Sequence, residues 1–197
     1  SNCPRIRRFL LRNGRILAII SLPDYAFRKA GAQNKTSIIF FCKFTASQKQ
    51  AFDRRYNQVV EDGEGEDAAI EFALENNDFF VFLAEANRVG YSPTGAHTAY
   101  NDLYVADAGS VAIEQEGSIF GEYRRFRRNE RAYAGSTIPD CMAVPASELW
   151  AAHRSHRLDP KYYLFKRQET AYTPPGWIRA LLTDVMQRRE LPVFPTN

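Results

Sequence analysis

RILAIIS, Arg15 to Ser21, is an unbroken run of branched apolar residues bounded by Gly14 and Pro23. It lacks the apolar-polar alternation of a half-exposed strand, so both of its faces call for cover, as they would inside a sheet. TSIIFFCKF, Thr36 to Phe44, is a second run of the same kind. The polar stretch DYAFRKAGAQNK, Asp24 to Lys35, separates the two, so we expect antiparallel neighbours joined by an exposed loop that carries Phe27. Upstream, RIRRFLLRN (Arg5 to Asn13) sets Ile6, Phe9 and Leu10 at helical spacing with arginines on the other face. Gly14 stands where that basic amphipathic helix should stop.

Downstream, Ser47 followed by Gln50 has the spacing of a capping box, and Phe52, Tyr56, Val59 and Val60 recur at helical intervals, predicting a helix from Ser47 to Val60. EDGEGED, Glu61 to Asp67, breaks it, and a short acidic helix follows with Ile70, Ala73 and Leu74 facing inward. Asn76 and Asn77 end that helix, and DFFVFLAEA (Asp78 to Ala86) reads as a third apolar strand. Helix, strand, strand, helices, strand is an α/β order. From Asn87 the texture becomes polar and loop-like, with Gly90, Pro93 and Gly95, until EYRRFRRNER at Glu122 to Arg131. Gly135 to Ala146 reads as a linker because of Pro139 and Pro145. A short helix capped by Ser147 runs through Leu149 and Trp150, Leu158 to Lys166 reads as extended, and Trp177 to Met186 marks a closing helix stopped by Pro192.

The 197 residues suffice for one medium domain or two small lobes, and a 45% hydrophobic content can build a core. With 26 Lys plus Arg against 23 Asp plus Glu, the net charge is only +3, so nucleic-acid binding would depend on where the charges lie. The three cysteines, Cys3, Cys42 and Cys141, have neither disulfide-framework nor zinc-knuckle spacing, which points to a reducing, cytoplasmic setting. No apolar run approaches the roughly 20 residues needed to span a bilayer, so no membrane partner is expected.

Several motifs have plain structural readings. Asp62-Gly63-Glu64-Gly65 imitates a glycine-rich cofactor loop, but it follows a helix instead of a strand and its acidity has the wrong sign for phosphate. Thr173-Pro174-Pro175 lacks the side-chain carbonyl that would hold a target amino group, and reads as a rigid helix start. His97, His153 and His156 complete no metal-ligand pattern. There is no nucleophile elbow, Walker loop or acid/base pair, so no catalytic residue and no metal site is assigned. Arg124, Arg127, Arg128 and Arg131 fall on one helical face, with Tyr123 and Phe126 opposite. Such a stripe suits a phosphate backbone, and equally a solvated face or a protein partner.

Taken together, the helix ending at Gly14, the strand leading into Leu22-Pro23-Asp24-Tyr25-Ala26-Phe27, and Gln33 to Ser37 opening the next strand resemble the end of the catalytic domain of N6-adenine DNA methyltransferases. The likeness is greatest to modification subunits of type I restriction-modification systems and related fused enzymes. Gly90-Tyr91, Thr94-Gly95 and Asn101-Asp102-Leu103 are similar to the segment that follows in that family. Ser147 to Tyr163, with Trp150 and Arg157-Leu158-Asp159-Pro160, looks like the opening of a target-recognition region.

The resemblance implies the distal part of an adenosylmethionine-dependent methyltransferase sheet at 1–86, an irregular extension and linker at 87–145, and the start of a target-recognition-like region at 146–197. It implies that Phe27, with Tyr25 as the alternative, stacks on an adenine rotated out of the duplex; a core role for Phe27 stays open beside this. Gln33, Asn34 and Lys35 would meet phosphate or a base edge, as would the arginine stripe. The implied partners are double-stranded DNA and specificity and restriction subunits. The family's glycine-rich cofactor motif and its Asn-Pro-Pro-aromatic tetrapeptide would precede residue 1. The expectation is therefore a fragment, inactive alone and binding no cofactor, of a parent that uses S-adenosylmethionine. A non-catalytic DNA-binding or assembly module is the alternative.

Overall fold

The computed structural model describes residues 3–32, 34–75, 78–105, 116–151 and 158–171. The chain divides into two compact units, 1–164 and 165–197. Six α-helices and a mixed sheet make the described part of the chain an α/β protein.

Helix α1 (Pro4–Asn13) leads directly into β1 (Gly14–Ser21), and β2 (Ser37–Lys43) returns antiparallel to it, as expected. β3 (Phe80–Glu85) lies parallel to β1 on its other side. The five-stranded order is β2-β1-β3-β7-β6, with β6 at Ser136–Thr137 and β7 at Asp140–Pro145. The last two strands come from the stretch read above as a linker. The prolines sit where they do little harm: Pro139 precedes β7 and Pro145 is its final residue, so β7 keeps the N–H groups it needs opposite β3.

The pairing of β1 with β2 shifts between Ile16 and Ala18. This irregularity lets Ile16 and Ile19 face one core while Ala18 and Ile20 face the other. The first core lies under α1, α2 (Ala46–Glu61), α3 (Glu66–Glu75) and α5 (Ala146–Ala151), and includes Leu11, Phe52, Ile70, Leu74, Leu149 and Trp150. The second lies under α4 (Ile119–Arg128), where Ile119 and Phe126 cover Phe82, Ala84 and Cys141. Glu122 of α4 is buried as well; it accepts hydrogen bonds from Tyr133 Oη at 2.7 Å and Arg125 Nη1 at 2.8 Å. Burial, then the bond to Glu122, pushes the Tyr133 phenol well above its ordinary pKa.

Four further sequence expectations change at the level of elements. The capping box is formed by Thr45 and Gln48, not Ser47 and Gln50: Gln48 N donates to Thr45 Oγ1 (3.3 Å) and Thr45 N to Gln48 Oε1 (2.9 Å). Leu158 to Lys166 is mostly helical, within α6 (Pro160–Ala171). Pro160 takes the first helical position and Asp159 Oδ1 accepts from Lys161 N at 3.2 Å, so the local start signals override the strand-like Tyr162-Tyr163 pair. In α1, Leu11 enters the core while Ile6 and Phe9 stay exposed. The helix is turned that way by Arg8, which donates to both Asp67 oxygens (2.7 and 2.9 Å), and by Arg12, which lies 4.0 Å from the Tyr56 ring centroid. Finally, β2 is not buried like β1. It runs along the sheet edge with β1 as its neighbour, and Ile38 to Phe41 are all exposed. The expected helix at Trp177 to Met186, and His153 and His156, lie outside the described residues.

Candidate nucleic-acid interface

β1 and β3 are parallel, so their carboxyl ends meet: Ser21 pairs with Glu85, and Ala86 N donates to Ser21 O at 2.9 Å. In open α/β sheets that end is where ligands bind, because loops diverge there above a rigid platform. The loop from Leu22 to Thr36 and the segment from Ala86 both leave from this end. The loop is closed at its base by Leu22 N to Thr36 O (2.9 Å). Successive turns shape its first half, with Ala26 N bonded to Pro23 O, Arg28 N to Tyr25 O and Ala30 N to Phe27 O. A short 3₁₀ turn, Arg28–Ala30, ends at Gly31 in the left-handed region (φ 81°), which glycine adopts at little cost.

The segment after Ala86 folds into a hairpin of β4 (Val89–Tyr91) and β5 (His97–Asn101). Its base is tied by Asp102, a carboxylate 5% exposed, which accepts from Asn87 N (2.9 Å), Arg88 N (2.8 Å) and Arg88 Nε (2.9 Å). Three N–H donors, one of them charged, compensate the burial of that charge. The hairpin in turn clasps the loop. Tyr25 Oη donates to Asn87 O at 2.7 Å, Tyr91 Oη bonds Ala26 O, and the Tyr25 and Tyr91 rings meet edge-on at 6.2 Å. Arg28 Nη1 donates to Pro93 O at 2.9 Å. The two resembling segments, 65 residues apart in the case of Arg28 and Pro93, thus form one surface.

Tyr25 and Phe27 have different situations within it. Tyr25 is spent holding loop to hairpin, and burial raises its phenol pKa, with the Asp102 charge adding to the effect. Phe27 is 46% exposed and belongs to neither core, so the alternative reading of it as a core residue does not describe its position. Asn34 is exposed nearby, Lys35 pairs with Asp159 at 3.3 Å, and Gln33 lies outside the described residues.

The arginine stripe is not part of this surface. Arg124, Arg127 and Arg128 lie on α4, but the helix ends at Arg128, so Arg131 belongs to the turn beyond. Arg127 pairs with Glu130 at 3.0 Å, Glu130 also meets Arg15 at 3.3 Å, and Arg124 lies 5.9 Å from the Phe120 ring centroid. Arg15 stands near the start of β1, and six strand residues at about 3.3 Å each put that end about 20 Å from Ser21. The end of the stripe is therefore at the opposite edge of the platform from Phe27. Between them, walled by Ile38 and Phe40 of β2 and Phe120 and Tyr123 of α4, lies an apolar cleft of about 350 Å³. Nothing local in the sequence announces that cleft, since its walls come from four separate segments.

Gly63 and Gly65 have no atoms within 4 Å of where a side chain would grow, and they follow α2 beside Asp62 and Glu64. Among the described residues no group of His, Cys, Asp and Glu is placed to hold a metal ion, and no helix is long and apolar enough to cross a membrane. No family model, no curated protein and no solved structure matches this chain.

Proposed function

We propose that this chain is part of a DNA methyltransferase of a restriction-modification system, one that transfers a methyl group from S-adenosylmethionine to N6 of adenine. The observation that carries the reading is Phe27: a half-exposed aromatic ring on an ordered loop at the carboxyl ends of β1 and β3, clasped by the hairpin of the second resembling segment. An adenine taken out of a duplex loses stacking worth a few kcal/mol, and an open aromatic face returns part of it. The tyrosines beneath leave Phe27 the ring available for that contact.

The described residues do not fit adenosylmethionine. The only glycine-rich turn of the right pattern among them is acidic and stands in open solvent, so no step is derived through the cofactor. This chain's part would be to hold the target base and the strand that bears it, with double-stranded DNA as partner and specificity and restriction subunits beside it.

In the full-length parent, Phe27→Ala is expected to weaken DNA binding and methylation by about 1–3 kcal/mol with the melting temperature unchanged, while Phe27→Trp keeps most activity. A stability loss with unchanged specific activity of the folded protein would remove the stacking role. A second reading, a non-catalytic assembly module, is favoured by the exposed apolar residues of β2. The parent reading frame separates the two: an upstream glycine-rich motif and an Asn-Pro-Pro-aromatic tetrapeptide belong to the enzyme only.

A further inference from the structure

Beside Phe27, between the β1–β2 loop and the tip of the β4–β5 hairpin, lies a cleft of about 410 Å³ lined by Arg28, Lys29, Tyr91, Ser92, Thr94 and Gly95 along with Pro93. We propose that this cleft is a clamp for a backbone phosphate of double-stranded DNA. The inference rests on the reading of this end of the sheet as DNA-facing, and adds to it a contact that base stacking does not require.

The lining is a set of donors without a carboxylate. Arg28 commits Nη1 to Pro93 O at 2.9 Å, which fixes the plane of a guanidinium that has further N–H groups to give. The ammonium of Lys29 sits 5.5 Å from the centroid of the Tyr91 ring and forms no ion pair with a described residue. Its stem runs close over Gly95: a Cβ at that position would come within 3.2 Å of Lys29 Cε, and the backbone there is left-handed at φ 88°. A glycine at this place therefore serves both the turn and the lysine.

The hydroxyls add one more donor. Ser92 Oγ and Thr94 Oγ1 are 2.8 Å apart, and Ser92 Oγ accepts from Ala96 N at 3.2 Å. Two hydroxyls own two hydrogens, and their mutual bond uses one of them. The other is committed to no described residue. A guanidinium, an ammonium and a hydroxyl hydrogen around one opening match an anion rich in acceptor oxygens, and a phosphodiester supplies them with charge. Arg28 follows Phe27 directly in the chain, so a phosphate held here belongs to the strand whose base meets the ring.

The test is a titration of a short labelled duplex with the whole chain by fluorescence anisotropy across a range of salt concentrations. The double variant Arg28→Gln/Lys29→Gln is expected to weaken binding about tenfold at low salt and to reduce the slope of log K against log salt by about 1–2, with the melting temperature lowered by no more than about 4 °C for the lost Arg28–Pro93 hydrogen bond. Arg5→Gln/Arg54→Gln removes the same charge from exposed positions on α1 and α2 and is expected to leave the slope nearly intact. Equal slopes for the two double variants, or no duplex binding by the parent sequence at low salt, would overturn the clamp. So would displacement of the duplex by inorganic phosphate beyond its ionic-strength effect, which would mark a site for the free anion. A reduced slope combined with methylation by the full-length parent that is indifferent to Phe27→Ala would keep the clamp and remove the stacking reading.

Discussion

β1 and β2 are nearly the same strand in composition and lead opposite lives. Ile19 of β1 and Ile39 of β2 are directly opposite each other in the pairing register, yet Ile19 is 0% exposed and Ile39 is 41% exposed. β1 has a neighbour on each side and packed cores on both faces; β2 has β1 alone. An apolar run therefore specifies that a strand wants cover, and the order of strands in the sheet decides whether it receives any.

The sharpest way to break the comparison is to truncate the two isoleucines one at a time. Ile19→Ala is expected to cost about 2–5 kcal/mol in urea denaturation, the range for a buried isoleucine whose cavity cannot fully collapse. At the half-exposed Ile39 the same change is expected to cost about 1 kcal/mol, because less area leaves water on folding. Equal losses would mean that β2 is covered in solution.

A smaller effect sharpens the contact between the strands. Gly14 has an extended backbone that any residue can adopt, but a Cβ there would stand 2.3 Å from Cys42 O and 2.4 Å from Phe41 Cζ. Gly14→Ala is expected to cost about 1–3 kcal/mol by pushing β2 away from β1. A neutral result would show that the edge strand gives way freely.

The smallest effect tests the edge itself. Ile39→Lys is expected to change stability by no more than about 0.5 kcal/mol, while raising the protein concentration at which aggregation begins, as charge on an edge strand does. Light scattering against concentration reads the second quantity. An unchanged onset would place the association-prone surface elsewhere.

What was legible in the sequence was local. The stop at Gly14, the two apolar runs and the polar loop between them lead to α1, β1, β2 and the exposed Phe27 without any knowledge of the rest of the chain. β7 was not legible, because DCMAVP between prolines resembles a linker until β3 is available to pair with it. The hairpin was hidden by length: Val89–Tyr91 is too short to show a period. For α6 the signal was present in Asp159-Pro160 and was outweighed by the aromatic pair that follows. The same holds for the arginine stripe, where the partner of Arg127, Glu130, stands three residues further along the chain. The cleft beside Phe27 had no local signal, since Arg28 and Pro93 meet only after the sheet has brought their loops together.

The parallel pairing of β1 with β3, and the antiparallel pairing of β3 with β7, also set a clock. β1 ends at Ser21 and β7 at Pro145, so at a synthesis rate of roughly 5–20 residues per second about 6–25 s pass between their emergence from the ribosome. The β1–β2 hairpin closes in microseconds once both strands are out. Between the end of β2 at Lys43 and that of β3 at Glu85 it is a two-stranded ribbon, apolar on both faces, with neither of its cores yet made. The nascent chain, more than the finished protein, is where its isoleucines and phenylalanines need shielding.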